Sequence, residues 1–210
     1  MIPSACRKGF LFPFSFHSII PRNANGILLP MQVTETPIPG CLLLTPRVHG
    51  DERGLFMELY QARRFQEQGL PTLFLQDNFS RSQGGTLRGL HYQVREPQGK
   101  LVQVLRGEVY DVAVDLRRSS PAFGTWFGVI LSEQNHHQLY IPPGCAHGFY
   151  VLSDSADFFY KCTAAYSQPD ERVLSWDDPE LAISWPLHGE PLLSPKDRQG
   201  TPLQKCETFA

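Results

Sequence analysis

The residues best suited to chemistry are few. His91 follows Gly89 and opens the run HYQ, and Lys100 lies across what reads as a hairpin. An imidazole accepts a proton at neutral pH because its unperturbed pKa is about 6.5. Tyr160, at the end of the run ADFFY, supplies an opposing acid of a different type, and the Lys100 ammonium can steady negative charge on an oxygen between them. A base, an acid and a cation are the parts needed to remove a proton next to a carbonyl and return it on the other face. That reaction is an epimerisation. Taken singly, a histidine in a barrel is more often hydrogen-bonded structure, and a tyrosine at a strand end is more often core with a hydrated hydroxyl. The plainer reading of His91 weakens because Arg88, Lys100 and Asp111 fall on neighbouring inward segments, where uncompensated charges are costly unless a ligand uses them.

Strands must position these groups. The 210 residues include 17 Gly and 18 Pro, one residue in six, and only 19% are charged, which excludes a helical bundle or coiled coil. The length fits one domain with a sizeable core. Segments CLLLTPRV, LVQVLRGEVYDVAVDL, TWFGVILS, HQLYIPP, GFYVLS and ADFFYKCTAAY are rich in Val, Leu, Phe and Tyr, with turn residues between them at intervals near ten. In VYDVAVDL, Val109, Asp111, Ala113 and Asp115 share one face and Tyr110, Val112, Val114 and Leu116 the other. The carboxylate face is expected to line a polar cavity. Residues 61–68 carry a helical signal stopped by Gly69 and Pro71, and WDDPELAISWP reads as a turn with one short helical element. The sum is an all-β, antiparallel jelly-roll barrel with a few short helices.

A metal is the first use to test for such a barrel. In metal-binding cupins one motif supplies two histidines separated by one residue plus a glutamate, and a later P-x-G-x-x-H supplies another histidine. Pro142, Gly144 and His147 fit the second motif, but the position two after His91 is Gln93. An amide in place of the third imidazole argues against a tight transition-metal site. The barrel reads as cupin-like and metal-free.

The formal charge of −2, from 19 basic and 21 acidic residues, argues against a nucleic-acid partner. No stretch reaches the roughly 18 apolar residues of a membrane helix. The five cysteines include no CxxC pair and read as reduced thiols of a cytoplasmic protein. Residues 1–30 differ from the rest: they are basic, lack acids and contain FLFPFSF. A signal peptide, a transit peptide and a leader upstream of a start at Met31 are the three readings, of which the last is preferred. The division expected is a leader at 1–30, a barrel domain at 31–200 and a loose tail at 201–210.

The motifs GDERG, QDNFSRS, LRGLHYQ, QGKLV, GEVYDVAVDLR, IPPGCAHGF, YK and WDDP, in this order over some 170 residues, resemble the dTDP-4-dehydrorhamnose 3,5-epimerase family. The resemblance implies a cupin-type fold, no cofactor, and a homodimer with an exchanged N-terminal strand. It also implies a dTDP-4-dehydro-6-deoxy-D-glucose substrate epimerised at C3 and C5 in dTDP-L-rhamnose synthesis. Carried over by motif, His91 is the base, Tyr160 the acid, Asp197 in SPKD the carboxylate that orients His91, and Lys100 the stabiliser of the enolate. For the nucleotide end the resemblance implies Arg53, Glu58, Gln76, Asn78, Arg88, His147, Tyr166, Glu171 and Lys196. Arg88 suits phosphate by its planar fork of donors, and the partner's Arg53 could do the same. Gln76 and Asn78 offer amides to a thymine edge, and Tyr166 a ring for stacking. Cys145 stands where many members carry Phe, which implies a slightly larger pocket wall. Three other readings stay open: an epimerase of one carbon or a ketoisomerase on another dTDP-sugar, a sugar-nucleotide binding module without catalysis and, more distantly, a metal-dependent dioxygenase.

Overall fold

The computed structural model describes residues 31–210, so the expectations for the leader lie outside the described residues. The alternating segments form β1 (Met31–Glu35), β2 (Leu42–Pro46), β3 (Val48–Asp51), β4 (Gly54–Met57), β5 (Gln76–Gln83), β6 (Leu87–Gln93), β7 (Lys100–Arg106), β8 (Glu108–Asp115), β9 (Trp126–Ser132), β10 (Gln138–Ile141), β11 (Cys145–Val151), β12 (Ser155–Cys162) and β13 (Glu171–Val173). One sheet has the order β1-β2-β10-β7-β12-β5 and the other β13-β6-β11-β8-β9, while β3 and β4 pair only with each other. The strand pairs are antiparallel throughout. This is the jelly roll that the strand pattern predicts.

Apolar side chains from both sheets fill the space between them, among them Val102, Val104, Leu139, Phe149 and Phe158. The alternation in β8 holds: Val109 and Ala113 enter this core, and Tyr110, Val112, Val114 and Leu116 pack on the other face. Its carboxylates do not line a polar cavity, however. Asp111 and Asp115 are fully buried and are engaged by side chains, Asp111 by His147 on Oδ2 alone and Asp115 by Arg117 and Ser120 on both oxygens. Cys145 likewise packs inside the inter-sheet core and does not form a pocket wall. The β7–β8 turn needs Gly107, whose φ is +80° and where a Cβ would fall 2.1 Å from the Ser155 carbonyl oxygen.

The helix α1 (Ala62–Glu67) begins at Gln61, whose side chain accepts from the Arg64 N–H at 2.7 Å. It buries Phe65 beside Leu44, Leu101 and Tyr140 on the outer face of the larger sheet. The segment WDDPELAISWP folds as turns without the expected helical element. Asp178 accepts from the backbone N–H groups of Glu180, Leu181 and Leu203, and this competes with helical pairing. The tail is not loose: Leu203 and Cys206 are buried against β8's outer face. Phe209 pins its end, its N–H donating to the Leu116 carbonyl at 3.0 Å and its carbonyl accepting from the Arg118 N–H at 2.7 Å.

Candidate active site

A cavity of about 220 Å³ opens at one end of the barrel, and strands from both sheets supply its walls. β5 gives Gln76 and Asn78, β6 gives His91, β7 gives Lys100, and β12 gives Tyr160 and Cys162. Tyr166 and Glu171 close it from the connection to β13 and its first residue. The motifs QDNFSRS and LRGLHYQ, polar enough to look unlike strands, are β5 and β6. In β5 the residues alternate between half-buried and exposed, whereas β6 is mostly buried, with Leu90 and Tyr92 in an apolar cluster and His91 on the cavity.

His91 is fixed from the C-terminal segment. The 3-10 turn Asp197–Gln199 delivers Asp197, whose Oδ1 lies 2.6 Å from His91 Nε2. Burial acts to raise the Asp197 pKa, but hydrogen bonds from His91, Ser194 and the Gly89 amide outweigh it and hold the carboxyl below its usual range. An ionised Asp197 places the imidazole proton on Nε2 and leaves Nδ1 with a lone pair. Lys100 is 7% exposed, and its Nζ donates to the His91 carbonyl at 3.2 Å. Burial pulls its pKa below the ordinary lysine value. Burial also raises the Tyr160 phenol, which therefore carries its proton at neutral pH.

A second network of side chains starts from Glu171, Tyr166, Gln76 and Asn78 on the cavity wall. Glu171 accepts from Lys196 Nζ at 2.7 Å and from the Tyr166 hydroxyl at 3.1 Å. Burial opposes ionisation of Glu171, yet the Lys196 bond and charge leave its pKa lowered. The Tyr166 N–H donates to Gln76 Oε1, whose amide nitrogen donates to Asn78, each at 2.8 Å. Arg88 Nε donates to Ser82 at 2.9 Å, and its charge reaches Tyr160. His147 is buried opposite His91 in the β11–β6 register, its Nε2 2.9 Å from Asp111 Oδ2. Burial lowers its pKa against the pull of Asp111, so it is held neutral.

Of the expected binding residues, Arg88, His147 and Lys196 do not line the cavity themselves but bond to or act on groups near it, while Arg53 and Glu58 stand elsewhere in the fold. Arg53 is exposed at the tip of the β3–β4 hairpin and binds Asp51, and Glu58 pairs with Arg64; neither lines the cavity. Cys162 was missed by the sequence reading although it follows Tyr160 by two on the same strand face, and its Sγ accepts from Asn78 at 3.6 Å. Gln93, where a metal-binding cupin has histidine, spends its amide on the backbone of Glu96, Ala165 and Ser167. Among the described residues, no group of three His, Cys, Asp or Glu side chains is placed to hold a metal ion. None of their helices is long and apolar enough to cross a membrane.

The family model for dTDP-4-dehydrorhamnose 3,5-epimerase matches residues 35–205. The chain belongs to this family. It is 54% identical to the dTDP-4-dehydrorhamnose 3,5-epimerase of Pseudomonas aeruginosa, over 85% of this chain and 99% of the relative. A Legionella pneumophila 3,5-epimerase solved with dTDP-4-keto-L-rhamnose is 53% identical with a TM-score of 0.82, over 84% of this chain and 95% of that one. A 3'-monoepimerase from Streptomyces bikiniensis, solved with dTDP-quinovose, is 33% identical with a TM-score of 0.76, over 80% and 86%. The protein is thus an epimerase of the dTDP-rhamnose type, an isomerase on a cupin-like barrel. The match ends at 205 and so includes the turn that carries Asp197.

Proposed function

We propose that the protein converts dTDP-4-dehydro-6-deoxy-D-glucose to dTDP-4-dehydro-L-rhamnose with His91 as base and Tyr160 as acid. The observation that carries this assignment is the convergence of the His91–Asp197 pair, Lys100 and Tyr160 on one cavity. The C4 ketone acidifies the hydrogens on C3 and C5. His91 removes one of them, the electron pair moves onto the C4 oxygen, and the buried Lys100 ammonium stabilises the resulting enolate. Tyr160 then delivers a proton to the opposite face of the same carbon, and the enzyme resets when a proton leaves His91 and one returns to Tyr160. The same cycle at the second carbon completes the inversion. Asp197 fixes the imidazole tautomer and stabilises the imidazolium.

Gln76, Asn78, Arg88, His147, Tyr166, Glu171 and Lys196 serve the nucleotide and diphosphate end, with Tyr166 stacking on a ring and Arg88 on phosphate. Arg53 and Glu58 act there through a homodimer with an exchanged N-terminal strand. In support, the hairpin that bears Arg53 exposes Leu55 and Phe56, at 57% and 70%, a cost an isolated monomer would not keep. The unpaired thiols of Cys41, Cys145, Cys162 and Cys206 suit a cytoplasmic setting.

The 3'-monoepimerase on the same fold supports a second reading, inversion at one carbon alone. Turnover in deuterated water separates the two: deuterium at both C3 and C5 is expected, deuterium at one carbon gives the second reading, and deuterium at neither overturns both. Sedimentation equilibrium tests the dimer, with a monomer at micromolar concentration as the contrary result.

A further inference from the structure

We propose that Ser194 is a positioning residue for the catalytic base, acting through Asp197; this rests on the reading of His91 as that base. The Ser194 hydroxyl accepts the Asp197 backbone N–H at 3.1 Å and donates to Asp197 Oδ2 at 2.7 Å. A hydroxyl has one proton, and here it is committed to the carboxylate. The turn is closed by the Arg198 N–H on the Ser194 carbonyl at 3.2 Å. Asp197 therefore has Oδ2 held by Ser194 and Oδ1 by His91 Nε2, at 2.6 Å. Its side chain is only 4% exposed, and the Gly89 amide adds a third donor. With both oxygens tied, the carboxylate plane cannot rotate, and the imidazole it holds keeps one orientation toward the cavity.

The chemical type of the donor matters. A cation on Oδ2 would neutralise the carboxylate that has to stabilise an imidazolium. The cation adjacent in sequence, Lys196, is turned to Glu171 at 2.7 Å. A hydroxyl supplies a hydrogen bond and leaves the negative charge intact. Ser194 also lies at the surface, so its replacement removes little packing.

The test compares Ser194→Ala, Ser194→Thr and His91→Ala by initial-rate kinetics and thermal unfolding. Ser194→Ala is expected to lower kcat about tenfold with KM within twofold of wild type and an unchanged unfolding midpoint, and Ser194→Thr to restore most of the rate. A Ser194→Ala enzyme at wild-type rate beside an inactive His91→Ala enzyme overturns the role of Ser194 and leaves the base assignment standing. Equal losses in Ser194→Ala and Ser194→Thr overturn it too, since the hydroxyl would then not be the cause. A loss carried by KM alone assigns Ser194 to ligand binding and overturns positioning. Normal turnover by His91→Ala is the distinct result that removes the base reading itself.

Discussion

The end of β8 and the mouth of the barrel each bury an aspartate, and they answer the same physical demand in different ways. Asp115, with a fully buried side chain, accepts the Arg117 N–H and Nε at 2.9 Å on Oδ1, and Arg117 Nη2 at 2.8 Å and Ser120 at 2.6 Å on Oδ2. Asp197 accepts from His91, Ser194 and the Gly89 amide. Burial acts to raise both pKa values, and in both the donors outweigh it and leave the carboxyl below its usual range. The partners differ in what they can do next. A guanidinium keeps its proton at any working pH, so the Asp115 clamp can only hold chain. An imidazole can accept a proton and give it back, so the Asp197 pair can take part in a reaction. Asp111 stands between the two types: one oxygen meets His147, while Oδ1 has no hydrogen-bond partner among the described residues.

This difference predicts that mutations at the two aspartates separate into rate effects and stability effects. The largest expected effect is on rate: His91→Ala lowers kcat by about 10²- to 10⁴-fold while the unfolding midpoint stays within a few degrees. A variant that kept its rate but lost its midpoint would make His91 a second Asp115-type clamp. Lys100→Met follows, with a loss of about 10²- to 10³-fold from the missing charge at the enolate oxygen, measured in the same assay. Methionine keeps an unbranched stem of similar length and removes the charge.

Arg117→Ala moves the other quantity. It leaves Asp115 buried with Ser120 alone among its side-chain donors and removes a bond to the Pro39 carbonyl, costing about 3 kcal/mol in urea unfolding, with kcat unchanged below the transition. The pH dependence has a definite sign. A carboxyl whose folded pKa is depressed contributes stability that is complete above its unfolded value, about 4, and is lost as pH falls through the folded value. The unfolding midpoint is therefore expected to fall on acidification below that point, and Asp115→Asn to show a shallower fall. An identical acid limb in Asp115→Asn would mean that other carboxyls, Asp197 first, carry the loss.

The sequence showed these two sites unequally. His91, Lys100 and Tyr160 could be picked out by residue type, and VYDVAVDL by its alternation, because both signals are local. Asp197 was legible only through the family pattern: it meets His91 from 106 residues away, and SPKD by itself reads as a polar surface turn. The tail was misread for the same reason. Leu203 and Cys206 fill a groove over β8's outer face that no local pattern announces. Polar strands hid as well, since β5 is a sheet edge whose outward residues meet solvent. The two carboxylates of β8 faced inward as the alternation implied, but periodicity could not say whether partners or a cavity would receive them.

A third carboxylate gives the smallest effect. Glu171 is held by Lys196, which is half-exposed, and by the exposed Tyr166. Its setting is wetter than that of Asp115 or Asp197, and it has two donors of which either can be lost without leaving it bare. Tyr166→Phe removes one hydroxyl bond at the solvent edge, worth about 1 kcal/mol or less, and keeps the ring for stacking. KM is therefore expected to rise about two- to fivefold, with kcat and unfolding midpoint unchanged. A fall in kcat comparable to that of His91→Ala would place Tyr166 among the reacting groups. In that case Glu171 would join Asp197 as a carboxylate that serves the chemistry, and exposure would no longer separate the rim from the base.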